Sequence, residues 1–108
     1  MYLKACRKDD LVEGSFEVAA VQRTLVLVLW PKGGTPRAFQ GFCPHAREPL
    51  ADARFDGDKL VCPHHDWVFD GRSGKCLKGK RCSLAEYPLR IEGGDVLVDV
   101  ADAVANYV

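Results

Sequence analysis

The sequence lacks several features that would place it in a large functional class. Its 15 lysines and arginines balance 15 aspartates and glutamates, so the formal net charge is zero. A neutral chain has no overall field to attract nucleic acid or anionic lipid. No stretch is apolar over the length of a signal peptide or a membrane span. We therefore expect a cytoplasmic protein that binds neither nucleic acid nor membrane.

The sequence also has no long amphipathic pattern, repeat, low-complexity tract or linker. Its length of 108 residues is typical of one domain. Short segments rich in β-branched and aromatic residues alternate instead with Gly, Pro and Asp turn signals. We expect one all-β domain over residues 1–108, built from antiparallel sheets. The predicted strands are 15–21, 24–30, 37–42, 59–61, 67–69, 87–91 and 96–100.

Two strands allow a prediction of burial, and two other segments can be helical. Residues 25–30 are apolar throughout and predict a strand buried on both faces, whereas the valines of 96–100 alternate and predict one buried face. Asp9 and Asp10 can cap a single helical turn, and residues 101–108 can form a short helix or a loose tail.

Histidine is scarce, and its placement is informative. All three histidines lie in Cys43-Pro44-His45 and Cys62-Pro63-His64-His65. Sixteen residues separate His45 from Cys62, and each segment follows a predicted strand. One type of binuclear iron-sulfur centre has two thiolates on one iron and two imidazoles on the other. Two loops that each contribute one cysteine and one histidine would provide these four donors. His64 is interpreted as a solvated neighbour of a ligand.

A structural zinc site uses the same four donors. Zinc motifs usually place two cysteines on one arm and two histidines on the other, whereas each arm here is mixed. Zinc is therefore the alternative and iron-sulfur the preferred interpretation.

The pattern CxHx16CxxH resembles the Rieske signature, and the resemblance extends to Leu50, Trp67 and residues 82–89. The last segment is similar to one in the ferredoxins of toluene-type monooxygenases. The resemblance implies a Rieske fold with a small cluster-binding subdomain formed by loops at about 43–50 and 62–67. It further implies one Rieske-type [2Fe-2S] cluster, held by Cys43, His45, Cys62 and His65.

The same resemblance implies a carrier of single electrons and not an enzyme. Its partners would be an NADH-dependent flavin reductase and a terminal hydrocarbon hydroxylase of the toluene-type diiron class. The ferredoxin of an aromatic-ring dioxygenase is the alternative, and a cluster-free interaction module of the same fold is a more distant one. A terminal ring-hydroxylating oxygenase would need two further histidines for its mononuclear iron, and no histidine remains outside the two segments.

The sequence departs from relatives at several positions near the cluster loops. Asp66 stands where the family usually has Gly, and Asp is among the residues that tolerate the left-handed conformation. Glu48 and His64 replace the cysteines that form a disulfide in respiratory relatives. Trp67 and Phe69 replace the serine and tyrosine whose hydroxyls raise the potential there. We expect a potential near the low end of the Rieske range, roughly −150 mV.

The remaining cysteines and charges allow two interpretations each. Cys6, Cys76 and Cys82 are interpreted as small buried hydrophobes or loop thiols. A basic run and an acidic group near the motif are either solvated faces or docking patches. The basic residues are Arg72, Lys75, Lys78, Lys80 and Arg81, and the acidic residues are Asp52, Asp56, Asp58 and Asp66.

Overall fold

The structure is a computed structural model that describes residues 1–44, 48–63, 66–79 and 82–101. Among these residues, regular structure consists of antiparallel strands and two single 3-10 turns, at Lys8–Asp10 and Leu50–Asp52. The strands are β1 (Leu3–Arg7), β2 (Phe16–Val21), β3 (Thr24–Leu29), β4 (Arg37–Gln40), β5 (Arg54–Phe55), β6 (Lys59–Val61), β7 (Val68–Asp70), β8 (Cys76–Lys78), β9 (Glu86–Tyr87), β10 (Leu89–Glu92) and β11 (Asp95–Val98).

The strands form three sheets with one sheet in the middle. The middle sheet has the order β2-β3-β4-β9, and the outer sheets have the orders β1-β11-β10 and β5-β6-β7-β8. One apolar core lies between the middle sheet and β1-β11-β10, and a second lies between the middle sheet and β5-β6-β7-β8. This arrangement confirms the all-β prediction of antiparallel sheets with a smaller subdomain.

Strand β3 supplies side chains to both cores. Val26 and Val28 belong to the core beneath β11, whereas Leu27 and Leu29 belong to the core beneath β6 and β7. All four side chains are at most 1% exposed. Successive side chains point to opposite faces of a sheet, so a strand covered on both sides must be apolar at every position. The prediction from residues 25–30 is confirmed, although the strand ends at Leu29.

Predicted strand 87–91 is two strands in different sheets. Tyr87 pairs with Ala38 of β4, whereas Leu89 pairs with Val98 of β11. Pro88 lies between them and has no N–H to continue a ladder, which allows the chain to leave one sheet and enter the next. Its carbonyl accepts a hydrogen bond from Asp99 N at 3.1 Å.

Strands β1, β5 and β8 were not predicted, and β7 begins one residue later than expected. The single turn expected around Asp9 and Asp10 is present at Lys8–Asp10, but the two aspartates lie inside the turn and do not cap it. The residue at the N-cap position, Arg7, makes no side-chain capping hydrogen bond. The predicted tail beyond Ala101 lies outside the described residues. No helix in the described part of the chain is both long and apolar enough to cross a membrane.

Candidate metal centre

Cys43 and Cys62 occupy equivalent positions in two loops from different sheets. Cys43 follows β4 of the middle sheet, and Cys62 directly follows β6 of the β5-β6-β7-β8 sheet. Cys43 N donates to Glu48 O, and Cys62 N donates to Trp67 O, each at 2.8 Å. In both loops the cysteine N–H therefore bonds the carbonyl five residues later. The sequence shows two Cys-Pro-His segments, and the structure shows that their backbones close in the same way.

The two cysteine side chains are brought into one apolar core. Each is 0% exposed, and both belong to the core between the middle sheet and β5-β6-β7-β8. The other fully or nearly fully buried members of that core are Leu27, Leu29, Phe39, Leu50, Leu60, Phe69 and Leu84. Of the predicted ligands, His45 and His65 lie outside the described residues, as does His64.

A third segment, residues 82–85, completes the surroundings of the two loops. Leu84 lies in the same core as Cys43 and Cys62. Ala85 N donates to Gln40 Oε1 at 2.9 Å, and Gln40 Nε2 donates to Phe42 O at 2.8 Å. Gln40 is only 1% exposed, so its amide connects this segment to the residue before Cys43 inside the protein. Sequence reasoning missed Gln40, whose one signal is a polar residue directly after the apolar pair Ala38-Phe39.

None of the five cysteines forms a disulfide. Two buried thiols in one core suit metal binding, because thiolate is the preferred ligand of iron-sulfur clusters and an apolar shell limits access of water. Among the described residues no group of three or more His, Cys, Asp and Glu side chains converges on one point. The described part of the site is thus a pair of cysteines that fits one half of a binuclear centre.

Comparison with known proteins decides the family. Residues 1–88 match the Rieske [2Fe-2S] domain family. The chain belongs to this family. A Rieske domain carries a [2Fe-2S] cluster, and the two buried, disulfide-free cysteines described above fit that cofactor.

Individual relatives of this Rieske protein are ferredoxins. The ferredoxin component of the alkene monooxygenase system of Xanthobacter autotrophicus is 33% identical over 98 residues, which cover 90% of this chain and 80% of the relative. The 3-phenylpropionate/cinnamic acid dioxygenase ferredoxin subunit of Escherichia coli K12 is 31% identical over 102 residues, which cover 92% and 93% of the two chains.

A solved structure shares the Rieske fold of this chain. It is a chain from the complex of reduced oxygenase and oxidised ferredoxin of carbazole 1,9a-dioxygenase, with a TM-score of 0.78 at 24% identity. The match covers 90% of this chain and 91% of that one.

Two aromatic side chains follow the second Rieske loop. Phe69 is fully buried in the core that contains the cysteines, and Trp67 is partly buried against it. A Cβ on Gly79 would lie 2.6 Å from Trp67 Cδ2, so only glycine allows β8 to end this close to the indole ring. The φ of Gly79 is +136°, a conformation that other residues rarely adopt. Neither aromatic side chain has a hydroxyl that could donate to a sulfur.

Asp66 adopts the left-handed conformation that was expected where other Rieske proteins have glycine. Its φ is 55°. Its carboxylate lies 3.6 Å from Arg54 Nη2, and both side chains are well exposed. The backbone of the second loop can therefore form with aspartate at this position.

Much of the predicted acidic patch is paired locally. Asp56 Oδ1 accepts hydrogen bonds from the backbone N–H groups of Asp58 and Lys59, at 2.8 and 2.7 Å. Asp58 binds the side chains of Lys59 and Arg72. The hydrogen bond from Lys59, then that from Arg72, and then the positive charges of the two side chains lower the pKa of Asp58. These aspartates order the turn between β5 and β6, which favours the interpretation of a solvated structural turn.

The predicted basic run divides into three parts. Arg72 also donates to Lys32 O at 2.7 Å, so its guanidinium is engaged within the molecule. Lys75 and Lys78 are exposed, and Lys80 and Arg81 lie outside the described residues. A docking role for this run stays a prediction.

Proposed function

We propose that this Rieske protein is a ferredoxin that carries single electrons from an NADH-dependent flavin reductase to the terminal oxygenase of a multicomponent system. The supporting observation is the pair of buried, disulfide-free cysteines, Cys43 and Cys62, at equivalent positions of two identically closed loops. Relatives over most of the chain are ferredoxin components of oxygenase systems. In this role the protein is a carrier, and oxidation of the substrate takes place on another protein.

The proposed ligands are Cys43 and Cys62 for one iron and His45 and His65 for the other. The common core of the two thiols supports the cysteine pair, and the Cys-x-His and Cys-x-x-His spacing supports the histidine pair. When bound, the cluster supplies a one-electron redox couple. The chain holds the thiolates away from water. Trp67 and Phe69 stand at the positions where respiratory relatives have hydroxyl groups that favour reduction of the cluster, and neither side chain has a hydroxyl.

We also propose that residues 1–108 form a single Rieske domain. The family match ends at residue 88, but β10 and β11 lie in one sheet with β1. Val96 and Val98 of β11 are buried in the core that includes Val26 and Val28 of β3. The C-terminal strands therefore belong to the same folding unit as the matched part.

The first candidate for the terminal partner is a toluene-type diiron monooxygenase. The similarity of residues 82–89 to that group of ferredoxins and the 33% identity to an alkene monooxygenase ferredoxin support it. An aromatic-ring dioxygenase is the second candidate, supported by the 31% identity to a dioxygenase ferredoxin subunit. The test is to mix the reduced protein rapidly with a representative hydroxylase of each class. We expect faster oxidation by the monooxygenase hydroxylase, and faster oxidation by the dioxygenase would reverse the order of the candidates.

The metal content tests the cofactor. Protein made under iron-replete, anaerobic conditions should be red-brown and should contain about two irons and two acid-labile sulfides per chain. Stoichiometric zinc without visible absorbance would contradict the proposal and support the structural zinc alternative.

The histidine ligands have a matched control in the adjacent His64. His45→Cys and His65→Cys should shift the electron-paramagnetic-resonance g-values of any retained cluster towards those of an all-thiolate cluster and lower its potential, because thiolate carries a negative charge that imidazole lacks. His64→Cys should retain the wild-type spectrum and potential. Unchanged g-values in both ligand variants, or a shift confined to His64→Cys, would refute the assignment.

A further inference from the structure

The cysteines that the proposed cluster does not use occupy different parts of the molecule. Cys6 lies on β1 and packs against the core beneath β11. Cys76, on β8, and Cys82 both pack against the other core, which contains Cys43 and Cys62. Both are partly buried and free of disulfides.

The backbone places Cys76 and Cys82 directly opposite one another. Lys75 and Ser83 form an antiparallel bridge. On its two sides, Cys76 N donates to Cys82 O at 3.0 Å and Leu84 N donates to Gly74 O at 2.8 Å. Cys76 and Cys82 therefore form the next facing pair in this short ladder, and facing side chains project on the same side.

The two side chains also interact. Burial, then the nearby charge of Cys76 and its hydrogen bond, raise the pKa of Cys82 to about 11. Cys76 Sγ lies 3.3 Å from Lys78 O, to which it can donate. Facing residues at hydrogen-bonded positions have Cα atoms about 5.5 Å apart, and disulfides span Cα separations of about 4.4–6.8 Å. The usual spacing of facing residues is thus within the range that a disulfide spans.

We propose that Cys76 and Cys82 form a second redox site, in which a small-molecule disulfide such as oxidised glutathione converts the two thiols into an intrachain disulfide. One thiol of the pair, Cys76, reacts in the first step. Its sulfur attacks the glutathione disulfide, breaks that S–S bond and releases one glutathione thiol. Cys82 then attacks the mixed disulfide, forms the Cys76–Cys82 bond and releases the second glutathione thiol. Two electrons and two protons pass from the protein to the glutathione disulfide.

The experiment treats the cluster-loaded protein with oxidised glutathione, removes the reagent, then denatures and alkylates the chain. Free thiols should fall from five to three per chain, and the mass before alkylation should fall by about 2 Da, the two hydrogens lost. Trypsin cleaves after Lys75, Lys78, Lys80, Arg81 and Arg90, so a disulfide would join the peptides 76–78 and 82–90. Retention of the visible cluster absorption would show that Cys43 and Cys62 were not consumed.

Two sets of variants serve as controls. Cys6→Ser should still lose two thiols, whereas Cys76→Ser and Cys82→Ser should lose none to an intrachain bond. The double variant Cys82→Ser/Ser83→Cys moves the thiol by one residue, to the position opposite Lys75 on the other side of the ladder. It should not cross-link. Five free thiols after treatment, a lasting glutathione adduct on Cys76, or a bond that involves Cys6 would each overturn the proposal.

Discussion

Replacement of the buried Gln40 by methionine should weaken the connection between the first cluster loop and residues 82–85. Methionine has similar length and volume but can neither accept from Ala85 N nor donate to Phe42 O. Both groups bond the Gln40 amide, at 2.9 and 2.8 Å. A buried polar group left without its partner costs about 1–3 kcal/mol. Because the neighbouring backbone can relax in part, we expect Gln40→Met to lower the free energy of unfolding by about 2–4 kcal/mol.

Arg37→Met is a matched control on the same strand. Arg37 Nη1 binds Glu86 Oε2 at 2.8 Å and so also joins β4 to β9, but its side chain is 40% exposed. An exposed ion pair contributes only about 0–1 kcal/mol. The two variants therefore make the same chemical change to methionine, one in the interior and one at the surface.

Guanidinium unfolding of the cluster-loaded protein, followed by far-ultraviolet circular dichroism and visible absorption, measures the difference. For a slope of about 4 kcal/mol per molar, the midpoint of Gln40→Met should fall by about 0.5–1 M, and that of Arg37→Met by less than about 0.25 M. Equal shifts in the two variants would refute the reasoning that the buried amide bonds connect the segments.

Two further predictions concern the turn at Asp56 and the contact of Gly79 with Trp67. The backbone N–H groups of Lys59 and Asp58 lower the pKa of Asp56 in the folded protein. The ionised carboxylate therefore stabilises the folded state at a pH above the pKa of the unfolded chain. This contribution is lost as the pH falls through the lower pKa of the folded state. Asp56→Asn should therefore reduce the loss of stability between about pH 5 and 2, and an acid titration identical to wild type would contradict this. Gly79→Ala places a Cβ 2.6 Å from Trp67 Cδ2 and should destabilise the protein by more than about 1 kcal/mol with altered tryptophan fluorescence. Gly93→Ala, where the added Cβ meets nothing within 4 Å, should leave the fluorescence unchanged, and equal spectra in the two variants would refute the contact.

The sequence allows prediction of features that depend on local pattern. The uninterrupted apolar run of β3 predicted a strand covered on both faces, and Val26 to Leu29 are buried as expected. The backbone tolerance of aspartate predicted the left-handed Asp66. The two Cys-Pro-His segments predicted paired loops, and the structure brings Cys43 and Cys62 into one core.

Features that depend on distant partners could not be predicted in this way. Strand β8 has three residues, and its assignment depends on pairing with Phe69 and Val68 of β7. The role of Gln40 depends on Ala85, which lies 45 residues away in the sequence. The facing positions of Cys76 and Cys82 likewise follow from a bridge between Lys75 and Ser83. Composition and periodicity contain no information about these contacts.

The two cysteine loops follow strands of different sheets, and this affects how the protein assembles. Cys43 follows the middle sheet, whereas Cys62 lies in the hairpin between β6 and β7. With the proposed ligands, each end of the cluster would be completed only after the two sheets have docked. Metal binding would then contribute directly to the free energy of docking. A chain without its cluster would lack this contribution, and its two sheets would be held together by the apolar core alone.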